Sequence, residues 1–228
     1  QAGRLQCAPA STPAVATSDM PLTIDLKSFN IKNATLTWKN TIGEADYIVE
    51  DFAMNASFSF AGEEAVFTSI KGNGTFMETI DFKYGGDELR YGLDDGTIGL
   101  KGLNASALGS DILVNGELSQ GDSAKAITIA SDGIVLDEME PFFTIFAPAA
   151  IDFGLKGTVK PNLNFAFTPS GYKSTGTLAV TGLGAEVEEL VGFDDLAGTF
   201  DVVATEAQQS LTSQKLSGSL NNAPFGLK

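Results

Sequence analysis

From about residue 21 almost to the end of the chain, apolar and polar residues take turns. This alternation is the feature that most constrains the fold. Successive side chains of a β-strand point to opposite faces, so a period of two marks strands with one buried face and one wet face. "PLTIDLKSF" places Leu22, Ile24 and Leu26 on one face. "EDFAMNASFSFAG" places Phe52, Met54, Ala56, Phe58 and Phe60 on one face, against Asp51, Asn55, Ser57 and Ser59. "TFMETIDFKYGG" does the same with Phe76, Ile80, Phe82 and Tyr84, interrupted by Glu78. With "DELRYGL", "TIGLKGL", "DILVNGEL", "AITIAS", "GIVL", "GTVKPNLNFAFTPS", "KSTGTLAVTGL", "GTFDVVAT" and "QSLTSQKLSGSL", about a dozen short strands are predicted.

The punctuation between them is turn chemistry: "AGEE", "GNG", "YGGDE", "LDDGT", "NGE", "SDG", "TPSGYK" and "NNAP". Gly, Asn and Asp accept the positive φ of tight hairpins, so neighbouring strands should be antiparallel with short connections. In "SFNIKNATLTWKN" the apolar beat skips at Lys32-Asn33 and resumes at Ala34, Leu36 and Trp38. That pattern predicts a β-bulge.

One segment breaks the period. In "DEMEPFFTIFAPAA", residues 137–150, acidic residues come first and Phe142, Phe143 and Phe146 can share one helical face. Pro141 fits a first turn and Pro148 should end the helix, which predicts a short amphipathic helix against a sheet. "AEVEELVGFDD", 185–195, is a weaker second candidate. The chain thus divides into a tail at 1–20, a first β-segment at 21–136, the helix at 137–150 and a second β-segment at 151–228, which stops in the middle of an apolar pattern as if truncated.

Composition removes several classes of function. The chain has 228 residues, 43% of them hydrophobic and 19% charged, enough for a folded core. Its net charge of -15 argues against nucleic acid, which needs a clustered Lys/Arg face, and against an anionic bilayer surface. There is no histidine and one cysteine, Cys7, so Ser-His-Asp, Cys-His and Cys/His zinc chemistry are excluded. No paired acids or phosphate loop replace them: Asp94-Asp95-Gly96 sits in a turn, and adjacent carboxylates on one strand face opposite ways. The chain is therefore read as non-enzymatic, without cofactor or metal. Asn33, Asn55, Asn73 and Asn104 match N-x-[ST], which decides nothing in a chain so rich in Asn, Ser and Thr. The tail, rich in Ala, Pro, Ser and Thr, reads as a linker, and Cys7 in it as a free thiol. "RLQC" is a poor lipoprotein cleavage site, because Leu5 is one place too close to the cysteine and no apolar stretch precedes it. Gln1 at the start suggests a chain cut from something larger.

Sixteen phenylalanines stand against four tyrosines and one tryptophan, an aromatic set poor in polar handles. They either fill a closed β-sandwich core, with a structural or protein-interaction role, or line an apolar surface. At this point the order of the pieces resembles the AsmA-like family of bacterial envelope proteins, which includes TamB relatives. "LKSFNIKNATLTWKN" followed by "ADYIVEDFAMNASFSF" is similar to the family's paired strand phrases, and "EPFFTIFAPAAIDFGLKGTV" to its short helical segment. "STGTLAVTGLGAEVEELVGFDDLAGTFDVV" leading to "LSGSLNNAPFGLK" is similar to its repeated end. The likeness covers about residues 21–228; its phrases are built of common strand and turn residues, and it lacks the family's N-terminal transmembrane helix.

The resemblance implies an elongated, twisted, mostly antiparallel sheet curled into an open apolar groove. It further implies a periplasmic module, tethered to the inner membrane through a segment outside this chain, that holds phospholipid acyl chains and serves lipid transport between membranes or outer-membrane biogenesis. On that reading Phe52, Met54, Phe58, Phe60, Phe76, Ile80, Phe82, Leu178 and Val180 contact lipid.

Overall fold

The computed structural model describes residues 22–39, 46–119, 125–168, 171–187, 191–220 and 223–227. Within them lie twelve strands: β1 Thr23–Lys39, β2 Asp46–Ala61, β3 Glu64–Phe76, β4 Ile80–Gly92, β5 Ile98–Ala107, β6 Ser110–Leu118, β7 Lys125–Val135, β8 Lys156–Thr168, β9 Gly171–Val187, β10 Val191–Thr205, β11 Gln209–Leu220 and β12 Ala223–Leu227. They form a single sheet in strict chain order, every neighbour antiparallel. The tail with Cys7 lies outside the described residues.

Register, rather than sequence parity alone, shows where the apolar residues go. Residues directly opposite each other share a face. Phe52, Met54, Ala56, Phe58 and Phe60 of β2 follow one another on one face; Met54 stands opposite Gly72 and Phe58 opposite Phe67 on β3. Gly72 and Phe67 differ in parity, so β3 must switch once between them. It does so at Ser69, where the register slips and φ is 53°. The same device recurs at Asn33 in β1 (φ 51°), Asp51 in β2 (φ 48°), Gly102 in β5 (φ 60°), Gly182 in β9 (φ 61°) and Asp195 in β10 (φ 52°). Gly, Asn and Asp tolerate this left-handed backbone best. Each bulge inserts one residue, bends the strand, and returns the apolar side chains to the same face. The bulge expected at Lys32-Asn33 is one of this set.

Traced through the pairings, one face carries Phe29, Ile31 and Ala34 of β1, the Phe-rich row of β2, and Phe67, Ile70 and Phe76 of β3. It continues through Ile80, Phe82 and Tyr84 of β4, Ile127 and Ile129 of β7, Leu163 and Phe165 of β8, Leu178 and Val180 of β9, and Phe200 of β10. The other face carries Asn30, Asn55, Lys71, Asn73, Asp81, Lys83, Glu88, Lys101 and Ser106.

The all-β, open, antiparallel reading holds, while the closed β-sandwich is overturned. No second sheet covers the apolar face among the described residues, and no large side chain there is fully buried. The buried apolar residues, Ala56, Ile70, Ile80, Val180 and Ala185, lie along the sheet itself.

Several boundaries differ from the sequence reading. "TFMETIDFKYGG" is not one strand but the end of β3, a turn at Met77–Thr79 and the start of β4. Phe76 and Ile80 are therefore cross-strand partners, still on one face. "GNG", "YGGDE", "NGE" and "SDG" lie inside β3, β4, β6 and β7 rather than in turns, because the strands are longer than the punctuation suggested. β7 pairs with β8, so the two β-segments are one continuous sheet. The expected helix is α1, Glu140–Phe146, flanked by 3-10 turns at Leu136–Glu138 and Pro148–Phe153. Of the second helix candidate, 185–187 is the end of β9 and 191–195 the start of β10, paired with each other in the sheet, and 188–190 lies outside the described residues.

Candidate functional site

The apolar face is the site the fold presents. Its aromatic residues form three groups. Near the far ends of β1, β2 and β3, Phe67 lies 4.8 Å from Phe58 and 6.0 Å from Phe29, ring centre to ring centre. In the middle, Phe52 of β2 and Tyr84 of β4 stack at 5.7 Å, with Phe82 6.1 Å from Tyr84. β3 lies between β2 and β4, and the stack is possible because β3 carries Gly72 and Gly74 there. A side chain at Gly72 would collide with the Tyr84 ring and the Ala53 carbonyl, and one at Gly74 would stand 2.9 Å from Phe82 Cζ and 3.0 Å from Val49 Cγ1. The Tyr84 hydroxyl donates to the Ala53 carbonyl oxygen at 3.1 Å, and burial pushes its pKa up to about 12.

The third group joins the helical segment to the sheet. Phe146 of α1 stacks on Tyr47 of β2 and on Phe76 of β3, each at 5.7 Å, and Phe142 lies 4.7 Å from Phe146. Trp38, opposite Tyr47 at the end of β1, is 77% exposed and covered by nothing described.

All nine residues nominated from the sequence, Phe52, Met54, Phe58, Phe60, Phe76, Ile80, Phe82, Leu178 and Val180, share the apolar face. They do not make one cluster: the first seven line β2, β3 and β4, while Leu178 and Val180 lie five strands away on β9. Phe29, Phe67, Tyr47 and Phe146 belong to the same surface and were not nominated. Phe67 was missed because "EAVFTSI" was not read as a strand, and the change of parity at Ser69 hid its alignment with Phe76.

The opposite face offers ordinary cross-strand chemistry. Asn55 Nδ2 donates to Asn30 Oδ1 at 2.6 Å, Thr75 Oγ1 to Asp81 Oδ1 at 2.8 Å, and Arg90 pairs with Glu64 at 3.5 Å and Glu117 at 3.8 Å. In the β4–β5 turn, hydrogen bonds from the Thr97 hydroxyl and amide hold the Asp95 carboxyl below its usual range. Asp194 is lowered by its 3.0 Å bond to Lys156 and by the Asp195 amide. Among the described residues no three His, Cys, Asp or Glu side chains gather to hold a metal, and no helix is long and apolar enough to cross a membrane. No protein family, curated protein or solved structure matches the chain.

Proposed function

We propose that the apolar face binds and conducts the acyl chains of phospholipids, as a non-enzymatic β-groove module of a bacterial cell-envelope protein. The observation that carries this is a face running from β1 to β10, rich in Phe and Ile, that no second sheet covers among the described residues. An exposed apolar surface of that extent is unfavourable in water unless something apolar occupies it. Each methylene kept from water contributes roughly 0.8 kcal/mol, so an acyl chain can leave a bilayer for this face at small net cost. The polar face keeps the sheet wet on its other side.

The likeness of the strand phrases to AsmA-like proteins supports the same reading. It also supports a periplasmic location, a tether to the inner membrane outside this chain, and a part in phospholipid transport between membranes or in outer-membrane assembly. Native mass spectrometry of protein purified without delipidation tests it. Bound phospholipid is expected on the parent chain and its loss on a Phe58→Asp, Leu178→Asp variant. A ligand-free spectrum, under conditions where known lipid carriers retain lipid, sinks the proposal.

A further inference from the structure

We infer that α1 is an internal occupant of the apolar face, one that a bound acyl chain must displace. This rests on the lipid-binding reading above and adds to it a built-in competitor.

The placement comes first. The segment leaves the sheet between β7 and β8, yet Phe146 stacks on β2 and β3. From β7 to β3 is four strand spacings, roughly 19 Å. Tyr47 and Phe76 belong to the apolar face by register, so the helix lies on the side where ligand would lie. The chemistry comes second. Between Glu140 and Asp152 the segment carries no charge, and Phe146, backed by Phe142, presents to the sheet the kind of surface an acyl chain would.

The third observation is how lightly α1 is held. Seven residues are fewer than the roughly 12 to 15 a helix needs to persist alone, and neither end has a side-chain cap. Phe146 remains 45% exposed and Phe142 38% exposed although both are in ring contact. The segment's root, by contrast, is tied, because Gly157 N donates to Asp137 Oδ2 at 2.8 Å. At the far side Gly154 takes a left-handed φ of 50°, ending the second 3-10 turn in open space. A tied root, a left-handed glycine joint and a helix that meets the sheet through ring faces make a segment that can swing off the sheet without unfolding it.

The test uses two variants of the full chain and cis-parinaric acid as a fluorescent acyl probe. Phe142→Ala with Phe146→Ala weakens the hold of α1 and is expected to bind the probe at least about fivefold more tightly than the parent. Tyr47→Cys with Phe146→Cys, in a Cys7→Ser background, locks α1 down when oxidised. When oxidised it is expected to bind at least about tenfold more weakly than when reduced, and reduction in the same sample is expected to restore at least the parental affinity. The reversal separates displacement from misfolding. Parental affinity in the loosened variant, or no change on locking, overturns the displacement and leaves the groove intact. No binding by the parent or any variant overturns the groove itself, and the displacement falls with it.

Discussion

Tyr84 of β4 lays its ring over Gly72 of β3, and its hydroxyl reaches on to the Ala53 carbonyl of β2. Three strands are thus fastened by one side chain above a glycine. Gly72→Val forces the ring away and is expected to destabilise the protein by about 1–3 kcal/mol. In a Tyr84→Ala background the same substitution should cost less, since part of the collision is gone. Urea unfolding of the four proteins measures the coupling, and equal costs in both backgrounds would refute it.

Tyr84 also carries a pH dependence. Its pKa rises from 10.0 to about 12 because burial disfavours the phenolate. The folded state therefore favours the neutral ring. That stabilisation is complete below pH 10.0, and is lost as pH climbs from 10.0 towards about 12. Tyr84→Phe should be less stable than the parent at neutral pH, by about 1 kcal/mol for the lost hydrogen bond, yet should lose less stability between about pH 9 and 11.5. Denaturant midpoints across that range check both signs.

Asn33 tests the bulges. A left-handed φ at a β-branched residue costs roughly 1–2 kcal/mol, so Asn33→Val should lower the thermal midpoint clearly. Asn33→Gly should leave it nearly unchanged, because glycine adopts that backbone freely. Equal effects of the two substitutions would place the cost in a lost side-chain contact instead.

The Asp194 carboxyl titrates low chiefly because Lys156 hydrogen-bonds it. Lys156→Gln is expected to raise that pKa towards the usual carboxylate value, read by NMR titration of the side chain. Thermal stability should hardly respond, since both partners are about half exposed and solvent screens the pair.

Much of this was legible in the residues. Strand faces in β2 follow from strict alternation, and α1 from the spacing of Phe142, Phe143 and Phe146 between two prolines. The β3–β4 hairpin was not legible: Met77 and Glu78 adopt φ of 51° and 59° with no Gly, Asn or Asp to announce it. The opposite error occurred at Gly72 and Gly74, which read as a turn but serve as floor space for the rings of Tyr84 and Phe82. A glycine needed for a close approach looks, in sequence, like a glycine needed for a bend. That Phe146 lands on β2 and β3 is a long-range fact that no local pattern carries.

The bulges also make the chain sensitive to counting. Removing Asn33, Asp51 or Ser69 would straighten the strand and keep its apolar side in place, because two residues there oppose one on the partner, whereas removing one residue from a regularly paired stretch would turn every side chain beyond it over, Phe to water and Lys to the apolar side. Losing two adjacent residues in the same strand would preserve the order and merely shorten the sheet. Viable length variation within the regularly paired stretches should therefore come in even steps, with single-residue changes confined to the turns and the bulges.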